Sequence, residues 1–245
     1  MSYERTKPIL PGTAPTDYER YLRTEELLAL QKTPAEVVHR DEHLFQTVHQ
    51  GSELWLKLAC LELEQATALL TADGTAGNGV AAAVRLVRRA NHCIDLVTSQ
   101  LHMLDHLSPV DYAVVRTALG HGAGFDSPGF RQLHRSSPLL GAAFDALLAR
   151  RGVTLLEVYD RGYEFEDLYQ LAEQMITWDE RVILWRFHHL KVVERIIGGN
   201  VIGTQGTPVE VLGKRIDVRF FPELWTVRDE ITRRSPLGAD GHGNR

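Results

Sequence analysis

From Asp41 the chain reads DEHLFQTVHQGSELWLKL, and Phe45, His49, Ser52, Leu56, Ala59 and Leu63 recur at steps of three and four. That spacing draws one stripe down a helix and turns it toward a core. It predicts a helix from near Asp41 to about Leu70, where TADGTAGNG breaks the pattern. Similar periodicity predicts helices over 17–31 with Asp17 as N-cap, over 80–106, and over 165–197. SPVDYAVVRTAL predicts a shorter one, with Ser108 as N-cap and Pro109 in its first turn. Two shorter helical stretches precede the helix over 165–197, and a last short helix follows FPELW. GHGAGFDSPGF and GGNVIGTQGTP read as loops, and only IDVRFF (216–221) looks extended, too short to anchor a sheet. No internal repeat is evident, so the expected class is all-α, with a flexible arm over 1–16, one helical domain over 17–234 and a disordered tail over 235–245.

Composition narrows the function more than the fold. With 44% hydrophobic and 24% charged residues and a formal net charge of -5, the chain is an ordinary globular one without the basic surplus that nucleic acid attracts. No segment approaches the roughly 18 uncharged apolar residues of a membrane span, and the N-terminus has no export signal. Two cysteines, Cys60 and Cys93, both inside helical patterns, make no disulfide framework, and a cytoplasmic location is expected.

Candidate chemistry sits on two stripes. His49 takes a core-facing place on the first, and Val182, Trp185, His189, Val193 and Ile196 put His189 on a second. Each alone reads most simply as a core histidine bonded to a carbonyl. Together they suggest a cofactor, because helix bundles build cofactor sites from inward side chains on facing helices. A di-iron site needs a Glu-x-x-His pair on each of two helices, and only Glu36 and His39 have that spacing. His-Glu-x-x-His and Cys-x-x-Cys are absent. Haem needs one axial histidine and an open opposite side, so two histidines in different roles suit it.

DEHLFQTVHQGSELWLKL, WRFHHLKVVERIIG and YERYLRTEELL, in that family's order across about residues 17–232, resemble the tryptophan 2,3-dioxygenase family. The resemblance implies an all-α bundle enclosing haem b, ferrous when active, with O2 as co-substrate. It matches His189, the second histidine of WRFHH, to the axial iron ligand, and His49 to the catalytic distal histidine near the indole N–H. Phe45 is similar to the wall of the indole pocket, Arg116 to the arginine that binds the substrate carboxylate, and Tyr112 shares the Arg116 helix face. Thr207 matches a threonine that contacts the substrate ammonium. Tyr18, Tyr21 and Leu22 resemble residues inserted into a neighbouring subunit's site, which implies a homo-oligomer, tetramer or dimer, with the N-terminal helix exchanged.

Three departures bear on the reaction. GTQGTP stands where the family has a loop like GTGGTSG, and Pro208 removes a backbone donor there. GFDS (124–127) replaces GFQS, and the segment between Arg135 and Glu164 is short for the family. The leading expectation is insertion of both oxygen atoms at the indole C2=C3 of L-tryptophan or a substituted tryptophan, giving N-formylkynurenine. The alternatives are insertion of one atom to give an oxindole in secondary metabolism, a non-catalytic haem sensor, and a haem-free helical interaction protein.

Overall fold

The computed structural model describes residues 7–72, 79–201 and 209–235. Among the described residues the regular elements are α1 (Asp17–Leu22), α2 (Thr24–Leu28), α3 (Glu42–Thr71), α4 (Gly79–Leu104), α5 (Pro109–Arg116), α6 (Pro128–Arg151), α7 (Leu155–Asp160), α8 (Glu166–Ile197), α9 (Glu210–Gly213) and α10 (Pro222–Arg234), with one 3-10 turn at Gly124–Asp126. No strand occurs among them, so the protein is all-α, and IDVRFF runs through turns and irregular backbone.

Four long helices make the core: α3 lies along α4 and α6, and α4 also packs on α8. Ala59 and Ala66 of α3 and Ala83 and Ala90 of α4 are fully buried, and such small side chains let helix axes approach closely. Leu56, Leu63, Val87, Leu168 and Leu171 fill the rest without exposure. Trp178 is also fully buried; its indole N–H donates to Ser137 Oγ at 3.0 Å, and Ser137 donates to the Leu133 carbonyl at 2.8 Å, so the polar atom it brings inside is satisfied.

Asp179 of α8 secures the C-terminal segment. It accepts from the backbone N–H of Phe220 (2.8 Å) and Phe221 (3.1 Å) and from Trp225 Nε1 (3.0 Å). Burial pushes its carboxyl pKa up, against the pull of those three donors and Arg186. Asp179→Ala should cost about 3 kcal/mol or more, because three donors lose their acceptor in a dry site. A lowered guanidinium unfolding midpoint is the expected result, and an unchanged midpoint would contradict this anchoring role.

The structure departs from the expected elements where helix periodicity lacks support from packing. The helix expected over 17–31 is broken at Arg23, whose φ of 52° is left-handed, and neither α1 nor α2 has a buried residue to hold a continuous helix. The N-cap is Thr16, which accepts from Glu19 N–H at 3.2 Å, whereas Asp17 accepts from Ile9 and Leu10 N–H and ties down the preceding arm. The two shorter stretches expected before α8 are α6, of 24 residues and continuous through Pro138, and α7. The last helix starts at Pro222, inside FPELW rather than after it.

Candidate functional site

Near the N-terminal end of α3 the stripe opens. Leu56, Ala59 and Leu63 are sealed, but Phe45 and Ser52 are only half-buried and His49 is exposed. The expectation of a semi-buried His49 is thereby corrected: its neighbours stand back from it instead of closing over it. Protein surrounds it even so, and desolvation lowers its pKa despite the Phe45 carbonyl and Glu53, which raise it. The combination describes a side chain on the wall of an open recess.

His49 Nδ1 lies 2.7 Å from the Phe45 carbonyl oxygen. A carbonyl only accepts, so Nδ1 carries the proton and Nε2 presents a lone pair. The carbonyl bond that the simplest reading expected is therefore present, and it leaves the second nitrogen as an acceptor. The Phe45 ring lies 4.0 Å from the His49 ring and 5.9 Å from Tyr112. Tyr112 is on α5, which packs against α8; burial raises its phenol pKa while the charge of Arg116, one turn along, lowers it. His49, Phe45, Tyr112 and Arg116 are thus gathered by α3 and α5.

His189 approaches from α8. It is half-buried, and burial first, then the charge of His49, pushes its pKa down to about 4. The two histidines are within electrostatic reach, as the paired stripes predict. Trp185, one turn earlier, stacks on His189 at 5.1 Å and 16°, and Phe130 of α6 lies 3.9 Å from Trp185. His188 points elsewhere, with its ring 6.1 Å from that of His102.

Iron ligation requires a neutral imidazole with a free lone pair. His189 is neutral at pH 7, and among the described residues its ring stacks without a hydrogen bond to protein. No group of three or more His, Cys, Asp or Glu side chains converges to hold a bare metal ion among those residues. Beside His189, Trp185 Nε1 and Arg186 Nη2 are buried donors with no partner among the described residues. One uncommitted imidazole within electrostatic reach of a second, beside spare donors, fits haem.

The remaining expected site residues lie elsewhere. Tyr18, Tyr21 and Leu22 on α1 are 69%, 77% and 45% exposed. Thr207 and Pro208 fall outside the described residues. Reading the sequence missed Glu53, one turn after His49, which accepts from Ser127 Oγ and, at 2.9 Å, from Gly129 N–H. Glu53 thereby fastens the GFDS turn to α3. Gly129 permits this approach, since a Cβ there would stand 2.6 Å from Leu56 Cβ. The signal for Glu53 is a partner 74 residues away, which helix periodicity does not carry.

A model of the tryptophan 2,3-dioxygenase family matches residues 11–142 and 140–231. The two matches meet within α6, inside the Arg135–Glu164 segment read as short. The tryptophan 2,3-dioxygenase of Kineococcus radiotolerans is 33% identical over 93% of this chain and 97% of its own length. Those of Shewanella woodyi and Caulobacter vibrioides are 31% and 32% identical, each over 87% of this chain and over 90% and 98% of their own.

Proposed function

The chain belongs to the tryptophan 2,3-dioxygenase family, and from that premise we propose that it inserts both atoms of O2 across the indole C2=C3 bond of L-tryptophan, giving N-formylkynurenine, at the cluster around His49 and His189. The observation that carries the reading is the His49 imidazole, fixed by the Phe45 carbonyl with Nε2 as acceptor and set across from a neutral, uncommitted His189. Haem b with ferrous iron would supply the oxygen activation, and His189 would hold it.

The protein's own task is to place the indole. His49 Nε2 accepts the indole N–H and so fixes the ring's rotation, and the Phe45 ring forms its wall. Arg116 takes the substrate carboxylate through its planar fork, with Tyr112 beside it. Thr207 contacts the ammonium group. Holding both ends of the substrate presents the reacting carbons in one orientation, a proximity effect worth of order 7–11 kcal/mol at best. Tyr18, Tyr21 and Leu22 complete a neighbouring subunit's site in a homo-oligomer, a tetramer by family habit, and the exposure of α1 supports that assignment. Among the described residues no helix is long and apolar enough to cross a membrane. Both thiols are buried and free, which supports a cytoplasmic location. Single-atom insertion is not favoured, since relatives alike over nearly their whole length are named as dioxygenases.

His49→Ala should retain the haem Soret band while kcat/KM for L-tryptophan falls about tenfold to a hundredfold, the range for losing one well-placed hydrogen bond. 1-Methyl-L-tryptophan has no N–H to donate and should lose much less. Equal losses on both would remove His49 as the acceptor. The acceptor role requires the neutral ring, and burial lowers the His49 pKa. The wild-type acid limb should therefore lie below about 6.5, the ordinary histidine value; protonation at or above it would contradict the desolvation of His49.

A further inference from the structure

One helical turn before His189, Arg186 brings a guanidinium into the interior. Its Nη1 donates to the carbonyls of Ile216 and Val218, but its Nη2 is buried without a partner among the described residues. The guanidinium lies 5.5 Å over the Phe220 ring, and His134 of α6 meets the same ring edge-on at 5.2 Å. Arg215, on the segment that Arg186 tethers, lies 5.7 Å over the Phe125 ring in the GFDS turn. The three basic groups repel one another: Arg215 disfavours the charge on Arg186, and both disfavour it on His134. Asp179 is the carboxylate whose field reaches Arg186, and its oxygens already accept three other donors.

An inward guanidinium with an unmet N–H, in the field of a second guanidinium, is an expensive arrangement unless an anion completes it. The cluster adjoins the iron ligand. Phe130, one turn before His134 on α6, packs on Trp185, and Trp185 stacks on His189 while its own buried N–H has no partner among the described residues. Side chains three apart on a helix are neighbours, so Arg186 and His189 share one side of α8.

We propose that Arg186 and Arg215, with His134 beside them, form a carboxylate site that receives a propionate of the porphyrin. This rests on the reading of His189 as a haem ligand. Arg186 offers the buried Nη2 and Arg215, exposed at its outer side, closes the pair from the solvent. Arginine suits the role because its fork meets a carboxylate through parallel charge-assisted bonds. Arg116, on α5, remains the partner of the amino-acid carboxylate.

The test is a Soret titration of the haem-stripped full chain with haem and, separately, with haem dimethyl ester, which has no free carboxylate. The wild type should bind haem at least tenfold more tightly than the ester. Arg186→Gln should weaken haem tenfold or more and leave ester binding unchanged, so that discrimination falls toward one. Arg215→Gln, at an exposed position, should reduce discrimination in the same direction and covers the case in which Arg186→Gln does not fold. Retained discrimination in folded variants would overturn the proposal, as would equal weakening of both porphyrins. A variant with unchanged discrimination and a raised KM for tryptophan would move the cluster to the substrate carboxylate and overturn it too. A wild type that takes up haem and ester equally defeats the propionate site alone, whereas one that takes up neither defeats the haem reading and this site with it.

Discussion

His189→Ala is expected to abolish the Soret band of the purified protein and with it all turnover of tryptophan. His189 is the half-buried imidazole that burial keeps neutral and that has no hydrogen bond among the described residues, so its removal would take away the proposed ligand without breaking a polar network. Its ring covers Trp185, and loss of that stack should cost about 1 kcal/mol, too little to unfold a domain with so large a core. The far-ultraviolet circular dichroism should therefore stay helical. Added imidazole, diffusing into the space left by the side chain, should restore part of the Soret absorbance. A His189→Ala protein with an unchanged spectrum would refute the ligand assignment, and a colourless one that imidazole does not rescue would leave it unsupported.

The second large effect is expected at Arg116. Arg116→Leu should raise KM for L-tryptophan by roughly tenfold to a hundredfold, corresponding to the about 1.5–3 kcal/mol of a charged hydrogen-bonded contact. Indole analogues without a carboxylate should change little. The contrast matters because Arg116 stands at the end of a helix that packs on α8, so a general disturbance of the site would affect every substrate. Equal losses on amino-acid and non-amino-acid substrates would remove the carboxylate clamp from the mechanism.

The core helices were legible because their signal is local. Leu56, Ala59 and Leu63 follow the three-and-four rule and are fully buried, as is Val182 within 2% on the α8 stripe. The same rule put His49 and His189 on the inward stripes of α3 and α8 but misjudged the burial of His49, since whether a stripe is covered depends on elements outside its own helix. The break at Arg23 was hidden for a related reason: DYERYLRTEELL has helical spacing, but neither α1 nor α2 buries a residue among the described ones. Glu53 binding the Ser127–Gly129 turn and Arg186 binding the carbonyls of 216 and 218 join residues 74 and up to 32 positions apart. Such pairs emerge only from the packed chain, and they carry the details that position the site. The family motifs supplied roles for Arg116 and Tyr112 that charge and periodicity alone would have assigned to an ordinary surface helix.

The most direct test of the account is the mass of the product formed from L-tryptophan by the haem-loaded, reduced protein under ¹⁸O2. Two labelled atoms in N-formylkynurenine are expected, because the proposed placement of the indole, with His49 at one end and Arg116 at the other, would present the C2=C3 bond as a whole. One labelled atom in an oxindole would contradict it, and would mean that the GTQGTP loop directs a different reaction on the same scaffold.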